Sequence, residues 1–284
     1  MRRSPAGLKI LIPEAVSKGL TTRFFGKPLY CFNQLTSTND LARELARGGA
    51  SEGTTVLAES QTKGRGRHGR KWVSQEGKSL TFSIVLRPSI PQERFAELTL
   101  TAAVGVAKAL ERHGFHPAIK WPNDLLLSGR KVCGILTEVG PKKDKMTSAI
   151  LGIGLNLSQS SADFPSDLRS IATSLKIQKG KTPDREVLLQ EILSKLEEAY
   201  GWVRDGKFLR VLTEWRQRSI LNGKQVKVSL GGRSFFAQVL DVDERGGLLV
   251  RTDIGTVERL TAGEVETLRL KAPASTRKTK TKGN

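Results

Sequence analysis

The stretch that most constrains the chain is Gly64-Arg65-Gly66-Arg67-His68-Gly69-Arg70-Lys71-Trp72, a basic, glycine-rich run set between two strand-like segments. Residues 53–60 and 79–86 flank it, the second with Leu80, Phe82, Ile84 and Leu86 alternating onto one side. A loop this rich in glycine can wrap its backbone closely around a ligand, and its guanidinium forks aim several donors at oxyanions. Phosphate is the natural target, although an RGG-like nucleic-acid segment or a solvated loop would carry the same residues. Gly64-x-Gly66-x-x-Gly69 also has the form of a dinucleotide fingerprint. That reading fails because the third glycine leads into a strand instead of a helix, and no acid stands at the ribose position. Gly77-Lys78-Ser79 mimics the end of a Walker loop, but Trp72 takes the place of its first glycine.

Charge is concentrated in two places. Of a formal net charge of +19, five positives lie in residues 61–72 and five in 271–284, and neither segment holds an acid. The second has nothing apolar to pack, so residues 270–284 are expected to form a disordered basic tail, solubilising in role and without sequence-specific DNA binding. Over the whole chain 38% hydrophobic and 26% charged residues suit a soluble globular protein, and 284 residues suit one large domain plus a small one. No run approaches the roughly 20 apolar residues of a membrane span, and Leu8-Lys9-Ile10-Leu11-Ile12 is cut short by Pro13 and Glu14. A cytoplasmic protein with no membrane partner is expected. Cys31 and Cys133 read as reduced core thiols. With no C-x-x-C and only His68, His113 and His116, no protein metal site is expected.

The periodicity predicts an α+β fold with a mixed, mostly antiparallel sheet. Ser37-Thr38-Asn39-Asp40 offers a helix cap with an acid three residues on, followed by Leu41, Ala42, Leu45 and Ala46 at helical spacing and closed by Gly48-Gly49. Longer helices are predicted from Pro91 to His113 and from Pro183 to about Val203. Strands are predicted at 117–120, 124–128, 131–139 and 147–157, with turns at Ser128-Gly129 and near Pro141-Lys142-Lys143-Asp144. Residues 158–182 read as irregular. Residues 222–269, broken by Gly231-Gly232, Gly246-Gly247 and Gly263, read as a small β-barrel. The expected division is therefore 1–221, with its core from about residue 30, then 222–269, then the tail.

Two further spots are dense in chemistry. Lys120-Trp121-Pro122-Asn123-Asp124 joins a cation, a large aromatic and an Asn-Asp pair at a strand end, which also suits a turn with a half-buried tryptophan. Lys131 stands immediately before the apolar run Val132-Cys133-Gly134-Ile135-Leu136, where desolvation would strengthen its field, though most such lysines are surface residues. Together with Gly152-Ile153-Gly154-Leu155-Asn156, and in this order, these segments resemble the biotin protein ligase family over roughly residues 30–268.

The resemblance implies a class II synthetase-like catalytic domain followed by an SH3-like barrel. It implies a two-step reaction in which biotin's carboxylate attacks the α-phosphate of ATP, with Mg2+ shielding the triphosphate, and the adenylate then acylates a lysine of a biotin carboxyl carrier protein. It assigns catalysis to Lys131, Arg67 and Asp124. Ligand contact falls to Ser37, Thr38, Asn39, Gln61, Arg65, Gly66, Arg67, Trp72, Asn123, Lys131, Gly134 and Asn156, with Trp72 covering the adenine and Asn123 and Asp124 orienting Lys131 or a metal-bound water. Only 36 residues precede Ser37, so the ligase-only form, monomer or homodimer, is expected over the repressor form with its winged helix. A lipoate or octanoate ligase of the same fold and a non-catalytic basic nucleic-acid binder are the rival readings.

Overall fold

Burial on both faces organises the main sheet. In the computed structural model, which describes residues 10–143, 146–261 and 263–267, the chain opens with helix α1 (Pro13–Lys18) and strand β1 (Leu29–Leu35). The expected basic tail lies outside the described residues. Helix α2 (Thr38–Arg47) then crosses to β2 (Thr55–Gln61), so β1 and β2 pair parallel. β3 (Ser79–Leu86) follows, then α3 (Ala96–Arg112), β4 (Ala118–Lys120), β5 (Asp124–Leu127), β6 (Arg130–Lys143) and β7 (Met146–Asn156). The order β1-β2-β3-β7-β6-β5-β4 is antiparallel apart from the first pair, which makes the sheet mixed.

All of β3 is buried. Leu80, Phe82, Ile84 and Leu86 enter the large core with α3, while Val85 packs with Ala42 and Ala46 of α2 on the opposite face. The alternation on this strand therefore separates two cores, where a one-sided strand would separate core from water. Each such side chain contributes about 1.5–3 kcal/mol by leaving water.

Several predicted boundaries move for local reasons. Pro91 is extended and a 3-10 turn at Gln92–Arg94 precedes α3, because Arg94 grips the buried Glu97 of its first turn at 2.5 and 2.9 Å. Strand β6 runs on through Pro141 to Lys143, and its register with β7 shifts between Val139 and Lys142, as a residue without an N–H demands. The turn predicted near Pro141-Lys142-Lys143-Asp144 is therefore not formed at Pro141–Lys143, and Asp144 lies outside the described residues. The irregular stretch contains a short helix, α4 (Leu175–Lys179). Helix α5 (Arg185–Arg204) starts at Asp184, whose carboxylate accepts from the Glu186 and Val187 N–H groups. Helices α1 and α6 (Phe208–Arg218) and strand β1 were not expected. α6 carries Phe208, Val211, Leu212 and Trp215 on one buried stripe.

The last strands, β8 (Gln225–Leu230), β9 (Arg233–Val242), β10 (Leu248–Thr252), β11 (Val257–Leu260) and β12 (Glu264–Thr267), form an antiparallel sheet in the order β11-β10-β9-β8-β12. It curls around Val226, Val228, Val239, Leu248, Val250, Leu260 and Val265, as in an SH3-like barrel. Its turn at Asp243–Gly247 docks on the first unit: Gly246 lies against Leu100 and Ala96, and its carbonyl accepts the Trp121 indole N–H at 3.1 Å. Trp121 is thereby fully buried at the junction of the two sheets.

Both cysteines are free. Burial, then the nearby carboxylates of Glu59 and Glu14, pushes the Cys31 thiol up to about 12, and burial raises Cys133 further. Neither forms thiolate near neutrality, so native protein at pH 8 is expected to give negligible reaction with a thiol-disulfide reagent over minutes, and two equivalents after denaturation.

Candidate active site

The basic run folds as a small hairpin. Gly66 N–H donates to Arg70 O at 2.7 Å, Trp72 N–H donates to Gly64 O at 2.9 Å, and His68 and Gly69 turn the tip with φ of 54° and 72°. A Cβ on Gly64 would lie 2.5 Å from Trp72 O, so the closure requires glycine there. Its three arginines meet different partners. Arg65 forms a two-pronged ion pair with Asp40 of α2 at 2.6 and 2.7 Å, and Arg70 pairs with Glu264 of β12 at 2.5 Å. Among the described residues Arg67 hydrogen-bonds Gly263 O alone, at 3.4 Å. Burial lowers the Arg67 guanidinium from its ordinary value, with Asp124 and Glu264 opposing that shift, and it stays protonated.

The hairpin delivers Trp72 onto the sheet. Gly134 of β6 and Gly154 of β7 are cross-strand partners, and a Cβ added to them would lie 3.2 and 2.3 Å from the indole. Two facing glycines thus make a flat shelf for one aromatic ring. The indole Nε1 is buried without a hydrogen-bond partner. Gly154→Ala is expected to expel the ring, read as a red shift of tryptophan emission with a loss of about 1–3 kcal/mol in urea unfolding.

Lys131 lies beside that shelf. Its Nζ is 6.0 Å from the Trp72 ring centre and 2.6 Å from Asp124 Oδ1, an ion pair whose angles fall outside hydrogen-bond geometry. Its main chain is fixed from the other side, its N–H donating to Ile171 O at 2.7 Å and its carbonyl accepting from Thr173 N–H at 2.8 Å.

At the far end stands the start of α2. Ser37 occupies the cap position, but the expected reciprocal capping does not form. Gln61 Oε1 takes the Thr38 N–H at 2.7 Å and its hydroxyl at 3.1 Å, and Asp40 is turned to Arg65, so the Ser37 hydroxyl is not spent on the helix. Asn39 donates to Glu138 at 2.5 Å, accepts from Ser83 at 2.5 Å, and packs on Gly152, where a Cβ would come within 2.3 Å.

These pieces border a single cleft of about 910 Å³. Ser37, Thr38, Asn39, Gln61, Arg65, Gly66, Arg67, Trp72, Asn123, Asp124, Lys131, Gly134 and Asn156 all line it. Asn123 and Asn156 also serve as ties, donating to Ile135 O at 2.8 Å and Thr173 O at 3.0 Å. Among the described residues no cluster of acids, histidines and cysteines forms a cation cage.

The profile of the Biotin/lipoate A/B protein ligase family matches residues 31–156, and that of the Biotin protein ligase C terminal domain matches residues 222–268. The chain is 33% identical over 243 residues to the biotin--[acetyl-CoA-carboxylase] ligase of Mycobacterium tuberculosis, covering 83% of this chain and 87% of that one. The chain belongs to the biotin protein ligase family. It is also 39% identical over 249 residues to the bifunctional ligase/repressor BirA of Bacillus spizizenii, covering 87% of this chain and 76% of that protein. The biotin protein ligase of Aquifex aeolicus, solved in complex with biotin and ATP, superposes with a TM-score of 0.74 at 32% identity, over 86% of this chain and all of that one.

Two walls of the cleft escaped the sequence reading. Phe164, Leu168, Ile171 and Ala172 form one, and Gly263 to Glu266 of the barrel form the other. The first sits in a serine-rich stretch without periodicity. The second is the edge of a β unit that the sequence reads as separate, and no signal in the sequence ties it to the basic loop.

Proposed function

We propose that this chain activates biotin with ATP to biotinyl-5′-AMP and pyrophosphate, then passes the biotinyl group to a lysine of the biotin carboxyl carrier protein of acetyl-CoA carboxylase. The observation that carries the reading is the placement of Lys131 at the floor of a cleft whose roof is the arginine hairpin. In step one a carboxylate oxygen attacks the α-phosphorus and the bond to pyrophosphate breaks. Two anions meet there, so a fixed cation stabilises the charge that builds up in the transition state. Lys131 supplies it, and Asp124 holds the ammonium in place. In step two the carrier amine attacks the acyl carbon and AMP leaves.

Biotin's ureido ring would lie toward Ser37, Thr38, Asn39 and Gln61, and the adenine against Trp72. A cleft of about 910 Å³ has room for both. Magnesium would enter with the triphosphate, with Asp124 as a carboxylate able to share it, and would neutralise phosphate charge. Residues 1–221 act as the catalytic unit and 222–269 as its closing wall. The compartment is the cytoplasm; no helix among the described residues is long and apolar enough to cross a membrane.

ATP–pyrophosphate exchange with biotin, lipoate, octanoate or no acid tests the reading. Exchange with biotin alone is expected. Comparable rates with lipoate or octanoate would favour the rival ligases of this fold, and no exchange with any acid would remove the enzymatic reading.

A further inference from the structure

Thr81 of β3 is 3% exposed and lines the cleft, and its Oγ1 has no hydrogen-bond partner among the described residues. A buried hydroxyl left without one costs about 1–3 kcal/mol, so such a group is kept where something else meets it. Strand alternation puts Ser79, Thr81 and Ser83 on one face of β3, away from Leu80 and Phe82 in the large core. Its two neighbours in that row are engaged within the protein. Ser83 Oγ lies 2.7 Å from Thr38 Oγ1 and 2.5 Å from Asn39 Oδ1, and Ser79 Oγ accepts from Gln159 Nε2 at 2.8 Å. Across the sheet, Thr81 is paired with Ala58 of β2 and Gly154 of β7, neither of which has a side-chain acceptor.

The same contacts locate Thr81 along the cleft. Ser83, about 6–7 Å along the strand, belongs with Thr38 and Asn39, while Gly154 carries the Trp72 ring. The hydroxyl therefore stands between the end given to the ureido ring and the shelf given to adenine. Resting on the ligase reading, the rest follows by elimination among biotin's polar groups. The ureido group goes to Ser37, Thr38, Asn39 and Gln61, and the carboxylate goes to Lys131. What remains is the ring sulfur, on the side of the fused rings opposite the ureido carbonyl. We infer that the Thr81 hydroxyl donates to this sulfur and is a specificity-determining group, by which the cleft prefers a cyclic thioether to a sulfur-free ring. A thioether is a weak acceptor, so the preference is modest.

Calorimetric titration without ATP, and so without turnover, measures the Kd of biotin, of its carba analogue with CH2 in place of sulfur, and of desthiobiotin. The full chain is compared with Thr81→Val, which keeps the shape and removes the donor, and with Thr81→Ser, which keeps the donor. The unmutated protein is expected to bind biotin about three- to tenfold more tightly than the carba analogue. Thr81→Val is expected to weaken biotin by that same factor and to leave the carba analogue and desthiobiotin within about twofold. Thr81→Ser should keep most of the preference. Ligand-free Thr81→Val is expected to melt at or above the unmutated temperature, because exchanging a partnerless buried hydroxyl for a methyl is neutral or stabilising.

Equal weakening of all three ligands by Thr81→Val would overturn the inference, and so would an unchanged Kd for biotin. The second result joined to a raised KM for ATP in pyrophosphate exchange would give the hydroxyl to the nucleotide instead. A melting temperature lowered by more than about 4 °C would also overturn it, since the hydroxyl would then serve the fold. Binding of biotin that ignores the sulfur removes the role of Thr81 and leaves the ligase reading standing, whereas no binding of biotin by the unmutated protein would remove both.

Discussion

Lys131→Ala is expected to lower biotin-dependent pyrophosphate exchange by about 10²–10³-fold, the loss seen when one preorganised charge is removed from a reacting centre. The fold should survive. Among the described residues the ammonium's partners are Asp124 and the Trp72 face, and the lysine backbone stays pinned by Ile171 and Thr173 whatever its side chain. The melting temperature should therefore move by no more than about 4 °C, and the loss should appear in kcat, because the interaction strengthens as charge builds up. Exchange within a few fold of the unmutated rate would remove Lys131 from the chemistry.

Arg67→Gly should have a different signature. Biotinyl-5′-AMP is a mixed anhydride, reactive toward any amine, so the cleft must retain it until the carrier lysine docks. Arg67 is a half-buried guanidinium in the hairpin that, among the described residues, has no carboxylate at ion-pair distance and makes a long contact to Gly263 O. Its removal takes away a charge-assisted contact of about 1.5–3 kcal/mol and should speed adenylate release by about 10- to 150-fold while exchange persists. Leakage follows, read as biotin on a bystander protein rich in lysine. A variant that neither releases adenylate faster nor labels the bystander more would show that Arg67 does not retain the intermediate.

The sequence made the floor and roof of the cleft legible because their residues come as short contiguous motifs. Residues 64–72 announced a ligand-wrapping loop by glycine and arginine spacing, and the Gly134 and Gly154 shelf lay inside β-rich runs whose pairing followed from a tight turn. Role was harder to read than place. Asp40 looked like the acid of a capping box, but Gln61, 23 positions from the Thr38 N–H it accepts, satisfies the helix start and leaves Asp40 for Arg65. Trp121 stood in a run dense in chemistry that also suited a turn with a half-buried tryptophan, and its indole N–H binds the barrel carbonyl of Gly246, 125 positions away. Strand β1 escaped because an edge strand needs only one buried face, and its residues alternate weakly. Helix α6 did leave a helical stripe, Phe208, Val211, Leu212 and Trp215, and could have been found. The wall at 164–172 could not, since its form comes from pairing with Lys131 and from ties such as Asn156 to Thr173.

The most direct test of the account follows the biotinyl group itself. The chain is incubated with biotin, ATP, Mg2+ and the carrier domain of a biotin-dependent carboxylase, and the acceptor is read by intact-mass and peptide mass spectrometry. The account predicts one biotinyl group on one carrier lysine, dependent on ATP, absent with lipoate in place of biotin, and lost with Lys131→Ala. An unmodified carrier under conditions where an authentic ligase labels it, or modification by lipoate at an equal rate, would contradict it.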